Sequence, residues 1–108
     1  MNQFYLVGRI AALPQLQTSP AGWKTCHILL DVERPFANSH GSYESDLLSI
    51  EVWRGAAETL CATAQIGSWV TVRGRITGSR CEYEKEREKE EARIYNLVAE
   101  KIEYIHCP

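Results

Sequence analysis

Long apolar runs are missing from this chain of 108 residues, and with them any stretch long enough to cross a bilayer as a helix. The opening MNQFYLVGRI has no basic start and too short an apolar segment for a secretory leader, so a cytoplasmic location is expected. Cysteine occurs four times (Cys26, Cys61, Cys81, Cys107) but never as CxxC, and a zinc site wants two close pairs. Cys26 and Cys61 read as small apolar fillers, and Cys81 and Cys107 as near-surface residues. No metal or cofactor is expected. The three histidines (His27, His40, His106) are scattered, and none pairs with a nucleophile. The lone GRG at Gly74 is no phosphate loop, and no Walker or dinucleotide motif is present. These absences argue against an enzyme.

An excess of positive charge is missing too. The formal net charge is −2. Its distribution matters more than its sum. Between Glu82 and Glu91 six glutamates face three basic residues, a local −3, which leaves the remainder at +1. A near-neutral body with one acidic appendage is compatible with nucleic-acid binding but does not predict it.

What is there is alternation. From Asp46 to Trp53, Leu48, Ile50 and Val52 share one face, while Leu47, Ser49, Glu51 and Trp53 share the other. A helical segment follows from Gly55 to Gln65, with Ala56, Ala57, Leu60 and Ala64 at helical spacing, and Gly67 stops it. Alternation resumes in SWVTVRGRI: Val70, Val72 and Ile76 point inward; Trp69, Thr71, Arg73 and Arg75 point outward. Upstream, Gln3 to Ile10 is a strand apolar on both faces, with Gly8 allowing a bulge or bend. Thr18 to Gly22 is a turn, and Trp23 to Arg34 a second strand that Pro35 closes. Phe36 to Ser45 reads as a mobile loop. The last strand spans Arg93 to His106, with Ile94, Val98 and Ile102 on one face. The 82–91 run allows either extended strand ends or a transient helix. Three strands, a helix and two strands in one small domain, residues 1–108, is the order of an OB-fold. That is an all-β, five-stranded Greek-key barrel with its helix between the third and fourth strands. A small sandwich fits the alternation alone; the position of the helix favours the barrel.

These segments also resemble a family. NQFYLVGRIAALPQL is similar to the start of bacterial single-stranded DNA-binding (SSB) proteins. DLLSIEVWRGAAETLCATAQIGSWVTVRGRI is similar to their third strand, helix and fourth strand, and YNLVAEKIEYI to their last strand. SPAGWKTCHILLDVERPF resembles their second strand and that of the related PriB-like primosomal proteins. The resemblance implies an aromatic stacking on a base at Trp53, with Phe36 near a second such position. Leu47 stands where a third aromatic often occurs, and Cys81 or Tyr83 lies near a fourth. The chain ends at Pro108 without the family's long linker and acidic tip, which implies that the recruiting function is absent.

The residues put forward for nucleic-acid contact are therefore Trp53, Phe36 and Tyr83 as stacking groups, with Arg73, Arg75, Arg34, Arg9, Arg54 and Arg80 for phosphates. Each has a plain alternative. Trp53 could fill a subunit interface, Phe36 could plug a strand end, and Arg73 and Arg75 could pair with Glu51 or Glu100. Trp23 and Trp69 are weighed as further stacking groups, the plain alternative for Trp23 being a cover over the barrel mouth. The leading expectation is a non-catalytic, sequence-tolerant binder of single-stranded DNA acting in replication, recombination or mobile-element maintenance. It would work as a homodimer or homotetramer joined through the first strand. The alternative is a PriB-like interaction module that docks replication or mobilisation proteins and binds DNA weakly.

Overall fold

A computed structural model describes residues 1–85 and 88–105, with side chains given for 1–79 and 93–105. Its elements are β1 (Phe4–Ala12), β2 (Gln17–Thr18), β3 (Lys24–Ala37), β4 (Tyr43–Trp53), α1 (Arg54–Thr63), β5 (Trp69–Lys85) and β6 (Glu88–Tyr104). The strands run β1-β5-β6-β4-β3-β2 across one sheet, and β1 pairs back onto β3. That last pairing closes a five-stranded barrel, with the two-residue β2 as a flap on β3. The helix follows the third barrel strand, so the chain has the Greek-key order of an OB-fold.

The core is what alternation selects. Ile10, Ile28, Leu30, Ile50, Val52, Val70 and Val72 are almost wholly buried, with Cys26 among them. Cys61 packs against this core from α1. Burial first, then the neighbouring Cys61 thiol, pushes the Cys26 thiol up to about 12, so it stays protonated and inert. Helix α1 is poorly supported by its own ends. Trp53 at the N-cap offers no side-chain cap, and neither an acid in the first turn nor a base in the last complements the dipole. The helix is held by burying Ala57 and Leu60, the latter stabilising by about 2–3 kcal/mol. Thr63 Oγ1 and the Tyr104 hydroxyl share a 2.8 Å hydrogen bond that ties its end to β6.

Four expectations need correction. Pro35 does not end its strand: β3 runs to Ala37. The pairing jumps from Glu33–Ser45 to Ala37–Tyr43, so Pro35 sits in a bulge where no ladder donor is required. The segment from Phe36 to Ser45 is a closed hairpin instead of a loop. Asn38 Oδ1 accepts from the amides of His40 and Ser42, and the Asn38 amide donates to Ser42 O. Ile76 points outward enough to be 41% exposed, and Ile94 is exposed as well, because β5 and β6 have by then left the barrel. β5 pairs with β1 only as far as Gly74, and the β5–β6 ladder continues beyond it to Lys85–Glu88. The 82–91 run thus belongs, where described, to strands. Finally, Gly8 makes no bulge; the irregularity in β1 falls between Ile10 and Ala12.

Gly8 and Gly74 instead permit close approach. A Cβ on Gly74 would stand 2.0 Å from the Val98 carbonyl oxygen and 2.8 Å from the Phe4 ring; one on Gly8 would meet Asp31 O at 2.5 Å. By contrast a Cβ on Gly55 meets nothing within 4 Å. Gly74→Ala should therefore lose about 3 kcal/mol or more in denaturant melts, the upper end of overpacking costs. Gly55→Ala should gain about 0.4–1 kcal/mol by restricting the unfolded chain. Equal stability of the two variants would contradict this account of closure.

Candidate nucleic-acid interface

Trp53 is the last residue of β4, directly across from Thr25, and its outward parity leaves it 36% exposed. It lines an open hollow together with Trp23, Arg54, Arg75 and Val98. Three chain segments build that hollow. The β4–α1 junction supplies Trp53 and Arg54. The turn before β3 supplies Trp23, whose amide donates to Ser19 Oγ at 3.1 Å and whose carbonyl accepts from Ser19 N at 2.8 Å. The β5–β6 pair supplies Arg75 opposite Val98. The Arg54 guanidinium lies over the Trp23 ring, 4.2 Å from its centroid. Two indoles and two guanidiniums around an apolar floor suit a planar base attached to a phosphate.

The other residues put forward divide among separate places. Arg73 and Arg75 share a strand face but line different hollows, and the β5–β6 pairing skips Glu100 between them. Arg73 lines a second hollow with Tyr5, Val7, Thr71, Lys101 and Glu103, on the outer face of β1. In it, Lys101 chiefly and Arg73 secondarily hold the Glu103 carboxyl below its usual range. Arg9 stands over the Trp69 ring at 5.3 Å, at the start of β5 and six residues before Arg75. Phe36 is 65% exposed near the tip of the β3–β4 hairpin.

Arg34 is engaged within the protein. Its guanidinium donates to both Asp46 oxygens, at 3.2 and 2.9 Å, and to Glu44 Oε2 at 2.8 Å. The hydrogen bond from Arg34 holds the Asp46 carboxyl below the usual carboxylate range, with partial desolvation opposing it; Asp46 in turn raises the Arg34 pKa. The side chains of Tyr83 and Arg80 lie outside the described residues. Two groups stand out more in the structure than in the sequence. Trp23 reads there as a lesser stacking candidate or a barrel cover, and the turn spacing alone does not show that it lines one hollow with Trp53. Tyr95, exposed and across from Gly78 in the β5–β6 ladder, was not singled out. An aromatic opposite a glycine was the available signal. By parity it shares a face with Leu97 instead of Val98, so it stands on the side away from Arg75.

The chain is similar in sequence and in fold to single-strand binding proteins. The model of the single-strand binding protein family matches residues 1–105. Single-stranded DNA-binding protein 3 of Listeria innocua is 36% identical over 107 residues, covering 97% of this chain and 64% of that protein. Single-stranded DNA-binding protein B of Bacillus subtilis is 41% identical over 75 residues, 69% of this chain and 66% of that one. The chain thus spans about two thirds of the length of these relatives. The wild-type single-stranded DNA binding protein from Thermus aquaticus superposes with a TM-score of 0.77 at 21% identity, over 98% of this chain and 50% of that chain. At that identity the likeness concerns the fold.

The Arg34–Asp46 pair has a pH signature. Because Asp46 is shifted down in the folded state, its contribution is complete above the ordinary carboxylate range. It is lost as pH falls through the lowered value. In Arg34→Gln the Asp46 carboxyl should titrate higher, back toward the ordinary carboxylate range, as followed by NMR. An unchanged Asp46 titration in that variant would assign the shift to another cause.

Proposed function

Because the chain belongs to the single-strand binding protein family, we propose that it binds single-stranded DNA without sequence preference, by stacking and phosphate contact instead of catalysis. The observation that carries this reading is the partly uncovered Trp53 ring beside Arg75 and Arg54 at the end of the third barrel strand. Every base has a π-face, so an indole receives any of them, while guanidiniums meet the phosphates on either side. The near-neutral body then leaves affinity to a few placed contacts rather than to a broad basic field.

A path for several nucleotides follows from the β3–β4 hairpin. About 35 Å of extended strand lies between Thr25, the cross-strand partner of Trp53, and Phe36. Leu47 is exposed between them and gives no aromatic step, so a single barrel offers few stacks. Arg34, already held by Asp46 and Glu44, is reserved for the hairpin instead of the DNA. A second copy would lengthen the path. Tyr5 and Val7, 68% and 52% exposed on the outer face of β1, are proposed as the seat of a homodimer or homotetramer contact. Both the ligand and this assembly are what the family leads one to expect in the cytoplasm. Among the described residues no helix is long and apolar enough to cross a membrane.

Titration with a thymidine oligomer should quench tryptophan emission at low salt. Trp53→Ala should weaken binding by about 1–3 kcal/mol, from five-fold to over a hundred-fold. Arg75→Ala should flatten the dependence of log K on log salt by about 0.7, the share of one single-strand phosphate contact. Binding that is absent at low salt, or indifferent to both substitutions, would refute the proposal. For assembly, Val7→Glu should lower the mass seen by light scattering to that of one chain; an unchanged mass would remove β1 from the interface.

A further inference from the structure

We propose that Trp23 is a second base-stacking platform, and that Arg54 covers its face in the free protein and yields it to an incoming base. The inference rests on the single-stranded DNA reading above and adds an occupant and an exchange to that site.

The backbone gives the first indication. Arg54 has φ +60°, the one positive value outside glycine among the described residues. A long side chain in the left-handed region is disfavoured, and such strain persists where the surroundings impose it. Here the strain sits between the end of β4 and the start of α1, where the chain must turn sharply. It coincides with the guanidinium over Trp23. In the β3–β4 register Trp53 stands across from Thr25, so Trp23 lies just past the end of that ladder, facing the β4–α1 junction. The strained residue is therefore the one positioned to reach the ring.

The ring itself gives the second. Trp23 is 47% exposed, fixed through Ser19 on both its amide and its carbonyl, and shares its hollow with Trp53, Arg75 and the largely buried Val98. None of the residues lining that hollow carries a carboxylate. A tryptophan needed merely to fill the barrel mouth would be sealed by apolar neighbours. This one is covered on one face by a solvated cation that can leave. A guanidinium on an exposed indole is held more weakly than a base stacked there. Once displaced, Arg54 lies within the same hollow as the nucleotide's phosphate, so its charge is used again instead of lost. Trp53 and Trp23 would then receive neighbouring bases, with Arg54 and Arg75 between the phosphates.

The test is fluorine NMR on the full chain labelled with 5-fluorotryptophan, whose three indoles are assigned by Trp→Phe variants, during addition of a thymidine oligomer. The Trp23 signal should move with the same midpoint as Trp53. Trp23→Leu, which keeps apolar bulk but no stacking face, should bind roughly ten-fold more weakly. Trp23→Phe should recover most of that loss. Arg54→Gly, which relieves the strained φ, should make Trp23 more accessible to acrylamide in the free protein. A static Trp23 signal at saturation, or Trp23→Leu binding like the parent chain while melting normally, overturns the proposal and leaves the DNA reading intact. Failure of the parent chain to bind the oligomer overturns both.

Discussion

Five strands can close around so small a core because two backbone crossings carry no side chain. At Gly8 the first strand presses against the Asp31 carbonyl of β3, and at Gly74 the β5 backbone lies against the Val98 carbonyl and the Phe4 ring. Each contact is too near for a Cβ, and each lies at a seam: β1 onto β3, and β5 onto β6. Without the first, β1 and β3 would be separate edges of an open sheet. Unpaired edges invite association with other chains, and closure removes them. The aliphatic layer of Ile10, Ile28, Leu30, Ile50, Val52, Val70 and Val72 then fills the enclosed space. Burial drives the collapse, but the glycines decide its shape.

Closure also fixes what stays outside. Once Ile50 and Val52 of β4 are committed to the core, Trp53 has to face out, at the point where the chain turns from strand to helix. The same junction forces Arg54 into an unusual backbone conformation and brings its guanidinium to Trp23. Two residues before Arg75 on β5, Arg73 lines a separate hollow with Tyr5 and Val7 of β1. One surface is rich in aromatics and cations; the other mixes apolar groups with paired charges. The proposed DNA contact and the proposed subunit contact thus fall on separate surfaces, both of which β5 reaches.

Much of this could be read from residue order. Period-two alternation named the core side of two strands correctly at Ile50, Val52, Val70 and Val72, which are buried inside the barrel. The helix was legible from Ala57, Leu60 and Ala64. Reading failed where strands outrun the barrel. Ile76 and Ile94 keep an alternating pattern after the enclosed space has ended, and nothing local marks that boundary. Pro35 misled because a bulge can place a proline where no donor is needed. The hairpin at 38–42 was hidden because its order comes from one Asn38 side chain accepting two amides. The meeting of Trp23 with Arg54 is a tertiary contact between residues thirty-one positions apart, which no periodicity encodes.

The central claim is that unpaired bases lie against the Trp53 side of the barrel. Photocrosslinking with an oligomer carrying 5-iodouracil, followed by mass-spectrometric mapping of the adducts, tests it most directly. The account predicts adducts on Trp53 and its immediate neighbours in the hollow. Adducts confined to Tyr5 or to Trp69, with Trp53 unmodified, would contradict it.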